Sequence, residues 1–179
     1  MIELMVVIAI VAILTTLAAP SFKQLIQSNN ISSNVNSFLA DMRYARSEAI
    51  RRGGGVILCR SDAPEATSPA CGTGSGPGGK GWVSGWIIFY DQDGNGTRTS
   101  TSTDPVLRVQ SPITSLDSIG EPNSIKFRFT ATGRLKNLSS AGTTFQFGGG
   151  NYANTAQRVV CVSVGGRARI AGDGYASCT

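Results

Sequence analysis

Residues 2–22 read IELMVVIAIVAILTTLAAPSF, and the run from 4 to 19 within them is apolar on every helical face apart from Thr15 and Thr16. Threonine hydroxyls can bond back to helix carbonyls, so even these two need no water. A helix lying on a soluble core keeps a polar face, and this segment has none. With Ile2 ahead and Phe22 behind, it approaches the roughly 20 residues that cross a hydrocarbon layer about 30 Å thick. Residues 1–22 are therefore expected to form a transmembrane helical segment. The absence of a basic stretch before the run, and the helical pattern directly after Pro20-Ser21-Phe22, argue against a cleaved secretory signal. Glu3 is the anomaly, because a carboxylate at membrane depth costs on the order of 2.5–3.5 kcal/mol. The helix macrodipole and a neighbouring subunit's terminal ammonium could compensate it; the alternative is a solvated position at the membrane edge.

Working outward, Phe22, Leu25 and Ile26, then Val35, Phe38, Leu39, Met42, Ala45 and Ala49, recur at spacings of three and four. Lys23, Gln27, Asn34, Arg43, Ser47 and Arg51 occupy the opposite face. Residues 23–52 are thus expected to continue the helix in amphipathic form, and Gly53-Gly54-Gly55 to stop it. At 1.5 Å per residue the whole helix would be about 75 Å long, with a kink at Pro20, which removes an internal hydrogen bond.

From 56 to 179 short β-branched and aromatic runs alternate with glycine, proline and serine clusters. Strands are expected at 56–59, 86–90, 106–109, 125–129, 144–147, 159–164 and 168–170. An antiparallel sheet body packed on the soluble half of the helix makes the fold α+β. The stretch 62–81 reads as a long exposed loop. Cys59, Cys71, Cys161 and Cys178 show no CxxC spacing, and the chain contains no histidine, so a zinc site is not expected. Four cysteines allow three pairings; proximity along the chain favours Cys59 with Cys71 and Cys161 with Cys178, formed in an oxidising compartment.

Asp91, Asp93, Asn95 and Gly96 match the first half of a calcium-loop pattern, but position twelve is Ser102 and not the bidentate glutamate. A glycine hairpin turn is the favoured reading and no metal is assigned. No histidine base, HExxH or phosphate-binding glycine loop is present, so neither catalysis, nor a cofactor, nor a small-molecule substrate is expected.

The opening string IELMVVIAIVAILTTLAAPSF, followed by FLADMRYARSEAIRRG at 38–53, Val56-Ile57-Leu58-Cys59, GWIIFYDQDGNG at 85–96 and Val106-Leu107-Arg108-Val109, resembles type IV pilins. More narrowly it resembles the GspH, FimT and FimU group of minor pilins and pseudopilins. That resemblance implies storage in the bacterial inner membrane as a single-pass subunit, then extraction into a filament that spans the periplasm or reaches the surface. The filament core would be built of these helices, and the partners would be other pilins or pseudopilins. Glu3 matches the glutamate that pairs with a neighbour's terminal amine, and Pro20 matches the kink proline. In the family a basic leader ending in glycine is cut before a phenylalanine that becomes N-methylated. This chain begins Met1-Ile2-Glu3, so it is expected to start downstream of that processing site. Either a type IV pilus or, as the alternative, a type II secretion system fits the resemblance.

Charge is uneven. Residues 126–179 carry Lys126, Arg128, Arg134, Lys136, Arg158, Arg167 and Arg169 against Asp173 alone, a net +6, and residues 1–125 carry −1. If Arg167 and Arg169, with Lys136 and Arg158 assisting, share a face, they make a non-specific footprint for the phosphates of double-stranded DNA. Alternate positions on a strand project to one side. The Gly-Arg-Ala-Arg element at 166–169 also resembles the DNA-contacting motif of FimT-type pilins in natural transformation. A solvated, mildly basic surface is the other reading.

Overall fold

Gly53, Gly54 and Gly55 all take positive φ, at 80°, 110° and 74°, and there a single helix α1 (Ile2–Arg52) turns into strand β1 (Gly54–Arg60). A Cβ on Gly55 would lie 2.9 Å from the Asp91 carbonyl oxygen, so the turn demands glycine for space as well as for φ. In this computed structural model the described residues are 2–99, 102–121, 126–136, 138 and 142–178, without the side chains of 17–21. α1 is helical through position 20, but the kink expected from the Pro20 ring lies outside the described side chains.

Among the described residues eight further strands follow: β2 (Trp86–Tyr90), β3 (Val106–Gln110), β4 (Ser118–Gly120), β5 (Lys126–Thr130), β6 (Leu135–Lys136), β7 (Thr143–Gly148), β8 (Arg158–Val162) and β9 (Ala168–Gly172). They form two sheets, ordered β3-β2-β1-β5-β6 and β4-β7-β8-β9, and every pairing between these strands is antiparallel. The α+β class expected from sequence is the one found, with its body divided between two sheets. β4 and β6 carry too few residues for an alternation to register in the sequence. The strand expected at 125–129 begins at Lys126, Ile125 being outside the described residues. The strand expected to reach 164 stops at Val162, because the Gly166 N–H donates to the Ser163 carbonyl (2.9 Å) and closes a turn.

The core lies where α1 meets both sheets. Ile31, Val35, Phe38, Leu39, Met42, Ala45 and Ala49 are buried along one helical stripe. Phe38 is at its centre, with ring centroids 6.0 Å from Trp82, 5.6 Å from Trp86 and 4.6 Å from Phe145. Asp41 fixes the helix to the sheets by a polar contact: its Oδ2 accepts the Trp86 indole N–H at 2.7 Å, and its Oδ1 pairs with Arg108 at 3.0 Å. The Arg108 guanidinium also lies over the Tyr44 ring. Phe22, Leu25 and Ile26 depart from the expected continuous stripe. They are exposed, because the body first covers the helix near Ile31.

β1 is apolar on both faces because both are covered. Its second face packs Ile57 and Cys59 with Ile87 and Phe89, beneath Cys71 and Val106. The long loop expected at 62–81 is mostly exposed but is organised from inside by Arg60, which has no solvent exposure. Its guanidinium pairs with Asp62 and donates to the carbonyls of Thr73 (2.6 Å) and Gly74 (3.2 Å). Both disulfides have the pairing that proximity favoured, Cys59–Cys71 and Cys161–Cys178, with Cα atoms 5.5 and 5.6 Å apart.

Candidate functional site

Apolar side chains from Ile2 to Leu14, and again Phe22, Leu25 and Ile26, lie open along the N-terminal part of α1. Exposure among the large ones runs from 51% at Ile26 to 80% at Ile2. Thr15 and Thr16 satisfy themselves within the helix, Thr15 Oγ1 donating to the Val11 carbonyl (3.0 Å) and Thr16 Oγ1 to that of Ile13 (2.7 Å). Water therefore gains no strong partner along this surface, which can be stabilised only by an apolar neighbour. Glu3 is exposed in the first turn and makes no ion pair among the described residues. Among the described residues no helix is long and apolar enough to cross a membrane; the expected span at 1–22 includes side chains 17–21, which lie outside them.

The second candidate is the basic end of the body. β8 and β9 are joined by the turn at 163–167, in which Gly166 takes φ 71° and sits so close to the Gly133 carbonyl that no Cβ fits. Arg169 lies opposite Cys161 in the register, and Arg167 is two residues before it. Both arginines are exposed and border one cavity of about 350 Å³, together with Thr143, Ser163 and the Cys161–Cys178 disulfide. Neither makes an ion pair among the described residues. The disulfide ties the C-terminal segment beside them and so shapes this cavity.

Lys136 and Arg158, grouped with these arginines from the charge pattern, lie on β6 and at the start of β8. Lys136 belongs to the five-stranded sheet, opposite Arg128. One guanidinium nitrogen of Arg158 is turned onto the carbonyls of Thr155 (3.0 Å), Ala156 (3.2 Å) and Gln157 (2.8 Å). The two sheets nevertheless join near this end, where the Leu135 N–H donates to the Val164 carbonyl at 2.8 Å. Arg134 and Lys136 flank that bond. Arg46 of the helix also packs at Gly133, a cation that sequence reading missed because its helical spacing says nothing about a turn 87 positions away.

A family model described as Type II transport protein GspH matches residues 34–166. The chain belongs to the GspH family. Crystal structures of the type IV minor pilin FimU of Pseudomonas aeruginosa share its fold in two crystal forms. One has a TM-score of 0.56 at 20% identity, covering 84% of this chain and 96% of that one. The other has a TM-score of 0.53 at 22% identity, covering 83% and 99%. No curated protein matches the chain. The match to this GspH-family chain starts at Asn34, inside the helix near the start of its buried stripe, and ends at Gly166, so it covers the packed body. The family match and the FimU fold both cover the packed body.

Proposed function

We propose that this GspH-family chain is a minor pilin of a type IV pilus, anchored in the inner membrane by its N-terminal helix before assembly and then packed by that helix among other pilins. The observation that carries this reading is the exposure of apolar side chains on α1 from Ile2 to Leu14 and at Phe22, Leu25 and Ile26, next to a fully packed stripe from Ile31. A greasy helix with no intramolecular partner needs either lipid or neighbouring helices. Glu3 then acts in axial register, its carboxylate meeting a neighbour's terminal ammonium. Fractionation tests the anchor: full-length protein should partition with membranes, and recovery in the soluble fraction without detergent contradicts it. Glu3→Ala should leave the body folded and lower the amount incorporated into filaments; unchanged incorporation removes the pairing role.

The second reading, a minor pseudopilin of a type II secretion system, is favoured by the description of the matching family. Deleting the gene separates the two: loss of surface pili supports the first, and loss of exported protein with pili intact supports the second.

Within the pilus reading, Arg167 and Arg169 bind the phosphate backbone of double-stranded DNA without sequence preference, supported by their shared exposed cavity. Binding should weaken steeply with salt, and the Arg167→Glu, Arg169→Glu double variant should reduce both the affinity and the salt slope, by about one unit per lost contact. Equal binding by that variant leaves the structural role alone.

A further inference from the structure

We propose that Asp91, Asp93 and Asp104 form a calcium site that closes the loop between β2 and β3. One oxygen from each of the three carboxylates lies within 4.8 Å of the others. The Asp91 side chain has no solvent exposure. Its Oδ2 accepts the Gly96 N–H at 3.1 Å and pairs with Arg128 at 3.0 Å, but its Oδ1 is buried and receives no hydrogen bond from the described residues. A buried carboxylate oxygen without a donor is costly, and two further carboxylates beside it add like-charge repulsion. A bound cation removes both penalties together.

The surroundings suit a hard ion. Asp104 is fully buried, held in place by the Thr99 N–H (2.8 Å) and hydroxyl (2.7 Å), both donating to its Oδ2. Asp93 is exposed and, with Gln92, Ser102 and Thr103, borders an open depression of about 400 Å³. Of the cations around the cluster, Arg128 pairs with Asp91, and Lys126 Nζ donates to the Gly96 carbonyl at 2.9 Å on the flank of the loop. Arg98, also in this loop, sends a guanidinium nitrogen to the Pro69 carbonyl at 2.7 Å. An all-oxygen donor set excludes a preference for zinc or copper, and an irregular loop accommodates the six to eight ligands of calcium more readily than the strict octahedron of magnesium.

The same geometry explains why the sequence pattern looked incomplete. Ser102 occupies the twelfth position, where a calcium loop carries its late carboxylate. Asp104 supplies that carboxylate two residues later, where the chain returns beside Asp91 to begin β3 at Val106, the Tyr90 N–H donating to the Pro105 carbonyl at 3.0 Å. Calcium would lock the hairpin that carries one edge of the five-stranded sheet.

Full-length protein in detergent micelles would be titrated with terbium, which takes oxygen sites of calcium size and is sensitised by a nearby aromatic ring such as Tyr90. The expected result is saturable luminescence displaced by calcium at concentrations at least about tenfold below those needed for magnesium. Asp104→Asn and Asp93→Asn should each weaken terbium binding at least about tenfold. Asp93 is at the surface, so that variant separates ligand loss from misfolding, and circular dichroism should confirm an unchanged fold. Calcium at about 10 mM should also raise the Tm of the wild type over EDTA, and fail to do so in the Asp93→Asn variant. No sensitised luminescence, equal binding by both variants, or displacement by magnesium as effective as by calcium would overturn the assignment.

Discussion

The two parts of α1 are made of similar residues and have opposite fates. From Ile2 to Leu14, and at Phe22, Leu25 and Ile26, the helix displays isoleucine, leucine, valine and phenylalanine to the outside, while from Ile31 to Ala49 its apolar stripe is sealed under the sheets. Hydrophobicity is therefore not what decides burial within this chain; the presence of a covering surface is. The buried part also uses polar side chains to fix its seating, through Asp41 on Trp86 and Arg108 and through the Asn34 amide donating to Ser115 Oγ at 3.0 Å. The exposed part has no such long-range polar tether among the described residues. One part of the helix is specified by its own body, and the other waits for a partner that supplies the missing contacts.

The comparison can be broken most severely at Phe38. Phe38→Ala removes the ring that meets Trp82, Trp86, Phe145 and Phe147, and should cost about 3–5 kcal/mol in chemical denaturation. A loss below about 1 kcal/mol would mean that the buried stripe is not the anchor of the body.

Removing the Cys161–Cys178 bond as the double serine variant should cost about 3 kcal/mol, from the chain entropy of the 17-residue separation it closes. Limited proteolysis should then show cleavage first beyond β9. Protection equal to wild type would show that β-pairing alone holds this end.

Asp41 sharpens the contrast through pH. Burial raises its pKa, against the lowering influence of the Trp86 hydrogen bond and of Arg108. The folded state therefore holds this proton more tightly than the unfolded state. Stability from this group is fully present below the unfolded pKa and is lost as pH rises from that value through the raised folded one. Asp41→Asn should flatten that part of the stability–pH curve while leaving an acceptor for the indole. Asp41→Ala should cost about 1–3 kcal/mol, because it strands the buried Trp86 N–H. Asp91, whose pKa burial also raises, contributes a slope of the same sign and remains in both variants.

The smallest expected effect is at the exposed end. Ile10→Ser should change the stability of the body by no more than about 0.5 kcal/mol, since Ile10 touches nothing that the body provides. The same change should lower filament incorporation. A large loss of stability would show that the N-terminal part is packed by its own chain.

Much of the architecture was readable from residue patterns because it rests on local periodicity. A 3.6-residue stripe marks Val35, Phe38, Leu39, Met42, Ala45 and Ala49, and glycine at 53–55 marks the helix end. Alternation and β-branching mark β2 to its end residues, Trp86 and Tyr90. Proximity was enough for both disulfides. Relations that depend on distant segments were not readable. The division into two sheets and the covering of both faces of β1 follow from which strand lies beside which.

Burial and pairing of charged side chains belong to the same class. Arg60 and Asp104 look like surface residues in a linear chain, and only the returning loops enclose them. The sequence by itself determined the long helix, the β-rich body and its stapling, because propensity, patterning and chain proximity act over a few residues. Tertiary structure alone decided that the helix changes from open to buried between Ile26 and Ile31, that two arginines share one cavity, and that Asp104 completes a carboxylate cluster begun at Asp91. Each of those outcomes is set by contacts between segments far apart in the chain, whose closure the spacing of neighbouring residues does not encode.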